Sequence, residues 1–140
     1  MLNTSSKNWR KGRKYLFKNH VHLVFFTKRR GRVLTTVILS RLENIFQETC
    51  QQMKCLLLNF EAKNDYVHLL VDIHQTIAIS KLVGKLKEKS SHFLAKEFFL
   101  ELQDKLIDNH FWSSSYAAVS EGKTSSQDIE FFLEEDLGKN

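Results

Sequence analysis

The sequence predicts an α+β protein, an antiparallel sheet carrying helices in the order β-α-β-β-α-β-α. Three observations lead there. Runs of aromatic and β-branched residues of strand length recur at residues 15–27, 56–63, 66–74 and 112–120. Segments with apolar residues at helical spacing lie between or after them. The short turn Asn64-Asp65 joins two of the strands as a hairpin.

Taken in order, Tyr15 to Thr27 reads as a strand in which His20, His22, Val24 and Phe26 share one face, because successive side chains alternate. Thr36 to Lys54 places Val37, Ile38, Leu42, Ile45, Phe46 and Met53 at helical intervals. Leu56–Lys63 and Tyr66–His74 form the hairpin. Ser80 offers an N-cap to a helix with Leu82, Val83, Leu86, Phe93 and Leu94 on one side and Lys81, Lys85 and Lys89 on another. Trp112 to Ser120 is the fourth strand, and the region of Gly122 is a turn. Ser125-Ser126-Gln127-Asp128 then matches a capping box ahead of Ile129, Phe132, Leu133 and Leu137. This order is the ferredoxin-like arrangement, with helices on one face of the sheet.

A chain of 140 residues with 42% hydrophobic and 26% charged residues suits one domain, expected over residues 1–140 with a basic N-terminal arm at about residues 1–14. The apolar runs fall short of the roughly 18 residues that span a bilayer, so no membrane association and a cytoplasmic location are expected. Cys50 and Cys55 match neither a zinc nor a redox spacing and read as reduced and structural. No proline, internal repeat, glycine-rich phosphate loop or RNA-recognition signature directs the reading elsewhere.

Charge is distributed unevenly. Eleven of the 21 Lys and Arg residues precede Glu43, the first acidic residue, whereas the chain beyond Glu121 is acidic. One basic cluster comprises Lys7, Arg10, Lys11, Arg13 and Lys14, with Trp9 and Tyr15 among them; Lys28, Arg29, Arg30 and Arg32 form another. Cations neutralise phosphates and aromatic rings stack on unpaired bases, so this composition points to nucleic acid.

Within the hairpin, Asp65-Tyr66-Val67-His68-Leu69-Leu70-Val71 is the most informative stretch. Residues 66 and 68 point the same way, about 6 to 7 Å apart along a strand, a spacing at which two histidines grip one ion. Only His68 is an imidazole; Tyr66 carries a neutral phenol with a reference pKa near 10.

Several segments together resemble the single-tyrosine HUH transposases of small insertion sequences. They run from Gly12-Arg13-Lys14-Tyr15 through His22-Leu23-Val24, Thr27-Lys28-Arg29-Arg30 and the hairpin strand. They continue through Ser80-Lys81-Leu82-Val83-Gly84-Lys85-Leu86-Lys87 with Ser90-Ser91, and Trp112-Ser113-Ser114-Ser115-Tyr116. The resemblance covers about 125 residues. It implies a homodimer that binds hairpin or single-stranded DNA at insertion-sequence ends and cuts it through a phosphotyrosine intermediate. It also implies a Mg²⁺ or Mn²⁺ ion, held by two strand histidines and a polar residue of the last helix. In the family the tyrosine often comes from the partner subunit.

Carried onto this chain, the second histidine is His68, the first is replaced by Tyr66, and the nucleophilic tyrosine is replaced by Phe132. Asp136, four residues on, is the remaining candidate oxygen ligand. Asn64 stands where a proline is usual. Grip on the metal is therefore expected to be weak or absent. The DNA-binding candidates are Lys11, Arg13, Lys14, Lys28, Arg29, Arg30, Lys81, Lys85 and Lys89. The leading expectation is a catalytically degenerate DNA-binding transposase relative that can enter mixed dimers with an active transposase. The alternative is an active metal-dependent single-strand transposase or nuclease using a non-standard site.

Overall fold

The computed structural model describes residues 10–11, 16–106, 109–122 and 125–135. In chain order the elements are β1 (Arg10–Lys11), β2 (Leu16–Phe17), β3 (His20–Thr27), a 3₁₀ turn (Lys28–Arg30), α1 (Thr36–Gln52), β4 (Leu56–Ala62), β5 (Tyr66–Asp72), α2 (Ile79–Glu97), α3 (Phe99–Leu102), β6 (Trp112–Ser120) and α4 (Ser125–Glu134). Strands β4-β5-β3-β6 form one antiparallel sheet in that order, and β1 pairs with β2 in a separate ribbon. The α+β class and the expected alternation of strands and helices are those of the sequence reading. The single long first strand is not: Leu16–Phe17 belongs to the ribbon, and the sheet strand begins at His20.

Central position follows from composition. Strand β3 is apolar on both faces, with Val21, Leu23 and Phe25 on one and Val24 and Phe26 on the other, all at most 1% exposed. A strand of that pattern needs cover on both sides. On the first face it is flanked by Val67, Leu69 and Val71 of β5, in register with Phe25, Leu23 and Val21. Helices α1 and α2 cover that layer with Ile38, Leu42, Phe46, Leu82, Leu86 and Leu94. On the opposite face Ile129 of α4 meets Val24, Phe26 and Ala117, with Tyr66, Phe132 and Leu133 packed against them. The helices therefore do not all lie on one side, as the sequence reading expected. On the even-numbered face Val24 and Phe26 are as deeply buried as Val21, Leu23 and Phe25 on the other, and α4 is the element that shields them.

Local signals explain the connections. The Thr35 hydroxyl caps α1 by accepting from the Ile38 amide at 3.3 Å. Beyond its last turn Lys54 adopts φ 61°, and the Cys55 amide donates back to the Cys50 carbonyl at 2.8 Å, turning the chain into β4. Helix α2 begins at Ile79 with Ala78 as N-cap, ahead of the expected Ser80; Ile77 and Ile79 both pack on the core, which fixes the entry. The buried Trp112 indole donates to Ser90 Oγ at 2.8 Å, and Ser90 in turn donates to the Leu86 carbonyl at 2.6 Å, joining β6 to α2.

Candidate functional site

The face under α4 carries the chemistry. Register places Phe26 opposite Tyr66, Val24 opposite His68 and His22 opposite Leu70, so His22 and His68 are diagonal neighbours on one face of adjacent strands. Their rings converge. His22 Nδ1 lies 2.9 Å from His68 Nε2, with ring centroids 5.1 Å apart and planes inclined at 40°. On the far side of its ring, His68 Nδ1 is 3.7 Å from the Glu61 carboxylate, which β4 supplies in register with it.

Burial holds the His22 imidazole below the ordinary histidine range, against the pull of Glu121 and Glu61. Burial also lowers His68, with His22 adding to the effect and Glu61 opposing it. Both rings are therefore neutral at neutral pH, and one donates to the other. The carboxylate beside His68 Nδ1 favours the proton on that nitrogen, leaving Nε2 to accept from His22 Nδ1.

At the other end of the same face, Tyr66 and Phe132 are both half-buried against Val24, Phe26, Ala117 and Ile129. Burial, with Asp65 and Glu61 adding, raises the Tyr66 phenol above its ordinary value; Arg30 acts in the opposite sense. Neither side chain offers a ready ligand or nucleophile. A half-buried neutral phenol is a poor donor to a hard cation, and a phenyl ring has no atom that attacks phosphorus. Among the described residues no group of three His, Cys, Asp or Glu side chains is placed to hold a metal ion. The pair at positions 66 and 68 therefore does not fit the divalent ion that the resemblance implies. Asp136 lies outside the described residues.

Arg30 is the structural centre of this end. With φ 57° at the close of the 3₁₀ turn, it donates from Nε to Asp65 at 3.1 Å and from Nη1 to the Leu133 carbonyl at 3.0 Å. Its guanidinium lies 4.7 Å from the Phe26 ring centroid. One side chain thus joins the β3 turn, the β4–β5 turn and the C-terminal end of α4, where a cation also meets the negative end of the helix dipole. The Thr27 hydroxyl, 2.7 Å from the Gly31 carbonyl and 3.1 Å from that of Asp65, fixes the turn beneath it.

The remaining predicted cations are dispersed. Lys28 is half-exposed and Arg29 exposed on the same turn as Arg30. Lys81 and Lys85 are exposed and Lys89 partly so, on α2, which covers the opposite face of the sheet from the histidines. Lys85 pairs loosely with Glu88 at 3.9 Å, and Lys89 lines a recess of about 290 Å³ with Arg41 and Glu48. Lys11 belongs to the β1–β2 ribbon. Arg13, Lys14, Lys7, Trp9 and Tyr15 lie outside the described residues.

Two residues escaped the sequence reading. His22 was legible as a member of a strand face, but its contact with His68 depends on β3 lying beside β5 in one register. Lys87 sat inside a lysine-rich helix. Its ammonium donates to the Ser113 and Ser115 carbonyls at 2.8 and 3.0 Å and lies 5.5 Å from the Phe25 and Tyr116 ring centroids. Burial pushes its pKa down to about 8.

Comparison with known proteins defines the class. A family model described as "Transposase IS200 like" matches residues 15–136, and the chain belongs to this family of single-tyrosine transposases. The ISDra2 transposase TnpA of Deinococcus radiodurans is 28% identical over 127 residues, 89% of each chain. The transposase for insertion sequence element IS200 of Salmonella typhimurium is 30% identical over 118 residues, 82% of this chain and 77% of its own. A crystal structure of a proposed transposase from Deinococcus radiodurans R1 superposes with a TM-score of 0.80 at 28% identity, covering 89% of this chain and 95% of that one. A REP-associated tyrosine transposase solved with a REP hairpin shares the fold at a TM-score of 0.57 and 13% identity, over 86% of this chain and 67% of that one.

Proposed function

We propose that this protein binds single-stranded or hairpin DNA at insertion-sequence ends, as a single domain acting in a dimer, without forming a phosphotyrosine intermediate. The observation that carries this reading is Phe132. It stands at the position of the family's nucleophile, has no hydroxyl, and packs with Tyr66 into the apolar cluster beneath α4. The hydroxyl of Tyr66 does not replace it, because burial disfavours the phenolate that would attack. The two departures meet in one cluster, which supports a centre converted from chemistry to packing.

DNA affinity would come from the basic residues. The arm at residues 1–14 and the turn bearing half-exposed Lys28 and exposed Arg29 supply cations, and Lys81, Lys85 and Lys89 supply a stripe on the other side of the sheet. Arg30 acts in this reading by placing the turn and α4. The REP-associated relative was solved with a hairpin, which supports nucleic acid of that shape as the ligand for this fold.

Electrophoretic mobility shift with hairpin-end and duplex oligonucleotides tests binding. The expected result is preference for the hairpin or single strand, with affinity falling steeply as salt rises. Salt-insensitive or absent binding would favour a protein-pairing role instead. In mixed dimers with an intact transposase, one composite site lacks the tyrosine and the other lacks a histidine, so equimolar addition should inhibit cleavage. Unchanged cleavage despite confirmed mixed dimers contradicts the reading that both composite sites are defective.

A further inference from the structure

We propose that Lys87 is a site of Nζ acylation, taking a small acyl group from an acyl phosphate or a thioester in the recess between α2 and the start of β6. This chemistry is independent of DNA binding. The amine is held in place and yet reachable. Nζ donates to the Ser113 and Ser115 carbonyls at 2.8 and 3.0 Å, which occupies two of the three N–H bonds of an ammonium. A neutral amine keeps both of those bonds and carries its lone pair at the remaining position. Lys87 is half-buried rather than enclosed, and it lines an open recess of about 230 Å³ with Ser91, Asn109, His110 and Trp112. That volume admits a short acyl chain beside the amine.

The surroundings decide between the charged and neutral forms. The two carbonyls and the rings of Phe25 and Tyr116, each with its centroid 5.5 Å from Nζ, favour the ammonium, but burial outweighs them and brings the pKa to about 8. The other titratable groups at the recess are His110 and Glu88, and the Glu88 carboxylate lies 3.9 Å from the Lys85 ammonium. At about pH 8 such an amine is half neutral, which is about 100-fold more free base than an ordinary lysine presents. A weaker base is also a weaker nucleophile, which returns about tenfold and leaves a net advantage of about tenfold. In the reaction the lone pair attacks the acyl carbon and an N–C bond forms. The C–O or C–S bond breaks with its electron pair leaving on phosphate or thiolate, and one amine proton passes to water. The product amide is uncharged and offers one N–H where the amine offered two. Helix α2 thereby exchanges a cation and one of its two bonds to β6 for an acyl chain in the recess.

The test exposes the full chain briefly to acetyl phosphate and, separately, to an acetyl thioester, at doses giving less than one acetyl group per chain, and maps the label by peptide mass spectrometry. At about pH 8, Lys87 should be labelled about tenfold faster than the mean of the other lysines, and the faster donor identifies the source of the acyl group. Its rate should level off above about pH 8, whereas that of an ordinary lysine climbs to about pH 10. Ser91→Leu narrows the recess without touching the two carbonyls and should slow labelling at Lys87 alone. The wild-type pH profile stands whether or not that variant folds. Labelling of Lys87 no faster than the other lysines with both donors, a rate that rises past about pH 9 without levelling, or unchanged labelling in a folded Ser91→Leu chain would overturn the proposal.

Discussion

Replacing Arg30 with alanine should destabilise the fold at the C-terminal end of α4 far more than loss of an exposed basic residue would. The side chain makes a 3.1 Å charged hydrogen bond to Asp65, a 3.0 Å bond to the Leu133 carbonyl, and a stacked contact with the fully buried Phe26. A charged hydrogen bond contributes roughly 1.5–3 kcal/mol in the interior, and a cation–π contact about 0.5–1 kcal/mol when exposed. The Arg30 and Asp65 side chains are 21% and 20% exposed, so screening removes part of the first contribution. A loss of about 2–3 kcal/mol follows. For a chain of this size that corresponds to a fall in Tm of roughly 6–12 °C. Thermal and urea denaturation give the total, and hydrogen exchange of α4 amides gives its location. Arg30→Lys should recover little, since an ammonium cannot hold the carboxylate and carbonyl in one planar fork. A change below about 0.5 kcal/mol, or α4 protection equal to wild type, would refute the clamp and return Arg30 to the DNA-contacting set.

Other outcomes follow from the same geometry. The His22 and His68 pKa values are lowered on folding from 6.5. The unfolded chain therefore binds more protons just below that value, and stability should be complete above it and fall as pH drops through the folded values. Urea midpoints between about pH 5 and about pH 7.5 in chelator should show this, and His22→Gln should flatten the profile. Lys87 titrates near 8 in the fold and 10.5 unfolded, so the charged-state penalty is present below pH 8 and is relieved as pH rises through that window. Wild-type stability should gain up to about 3 kcal/mol there relative to Lys87→Met, measured by denaturation at each pH.

The fold was legible because periodicity and turn chemistry act locally. The Asn64-Asp65 turn, the alternation of β5 and the apolar stripe of α2 each announce themselves within about ten residues. What the sequence concealed depends on layers meeting. Val24 and Phe26 were visible on one face of a strand, but only packing shows that α4 must cover them from the side opposite α1 and α2. The sequence reading set Tyr66 and Phe132 at the ligand and nucleophile positions the resemblance implies; their union in one apolar cluster required the tertiary structure. His22 required a register across strands 46 residues apart. Lys87 looked like one lysine among several, since the carbonyls that bind it lie 26 and 28 residues away on β6.

The central claim is that Phe132 prevents covalent attachment to DNA. A labelled single-stranded hairpin-end oligonucleotide, incubated with the chain and Mg²⁺ or Mn²⁺ and run on a denaturing gel, measures it directly. The account predicts bound but uncleaved DNA, with a protein-linked strand appearing only when Phe132→Tyr and Tyr66→His are combined. A protein-linked strand from the wild-type chain would contradict it, and free cleaved ends without linkage would replace it with a water-using, metal-dependent nuclease.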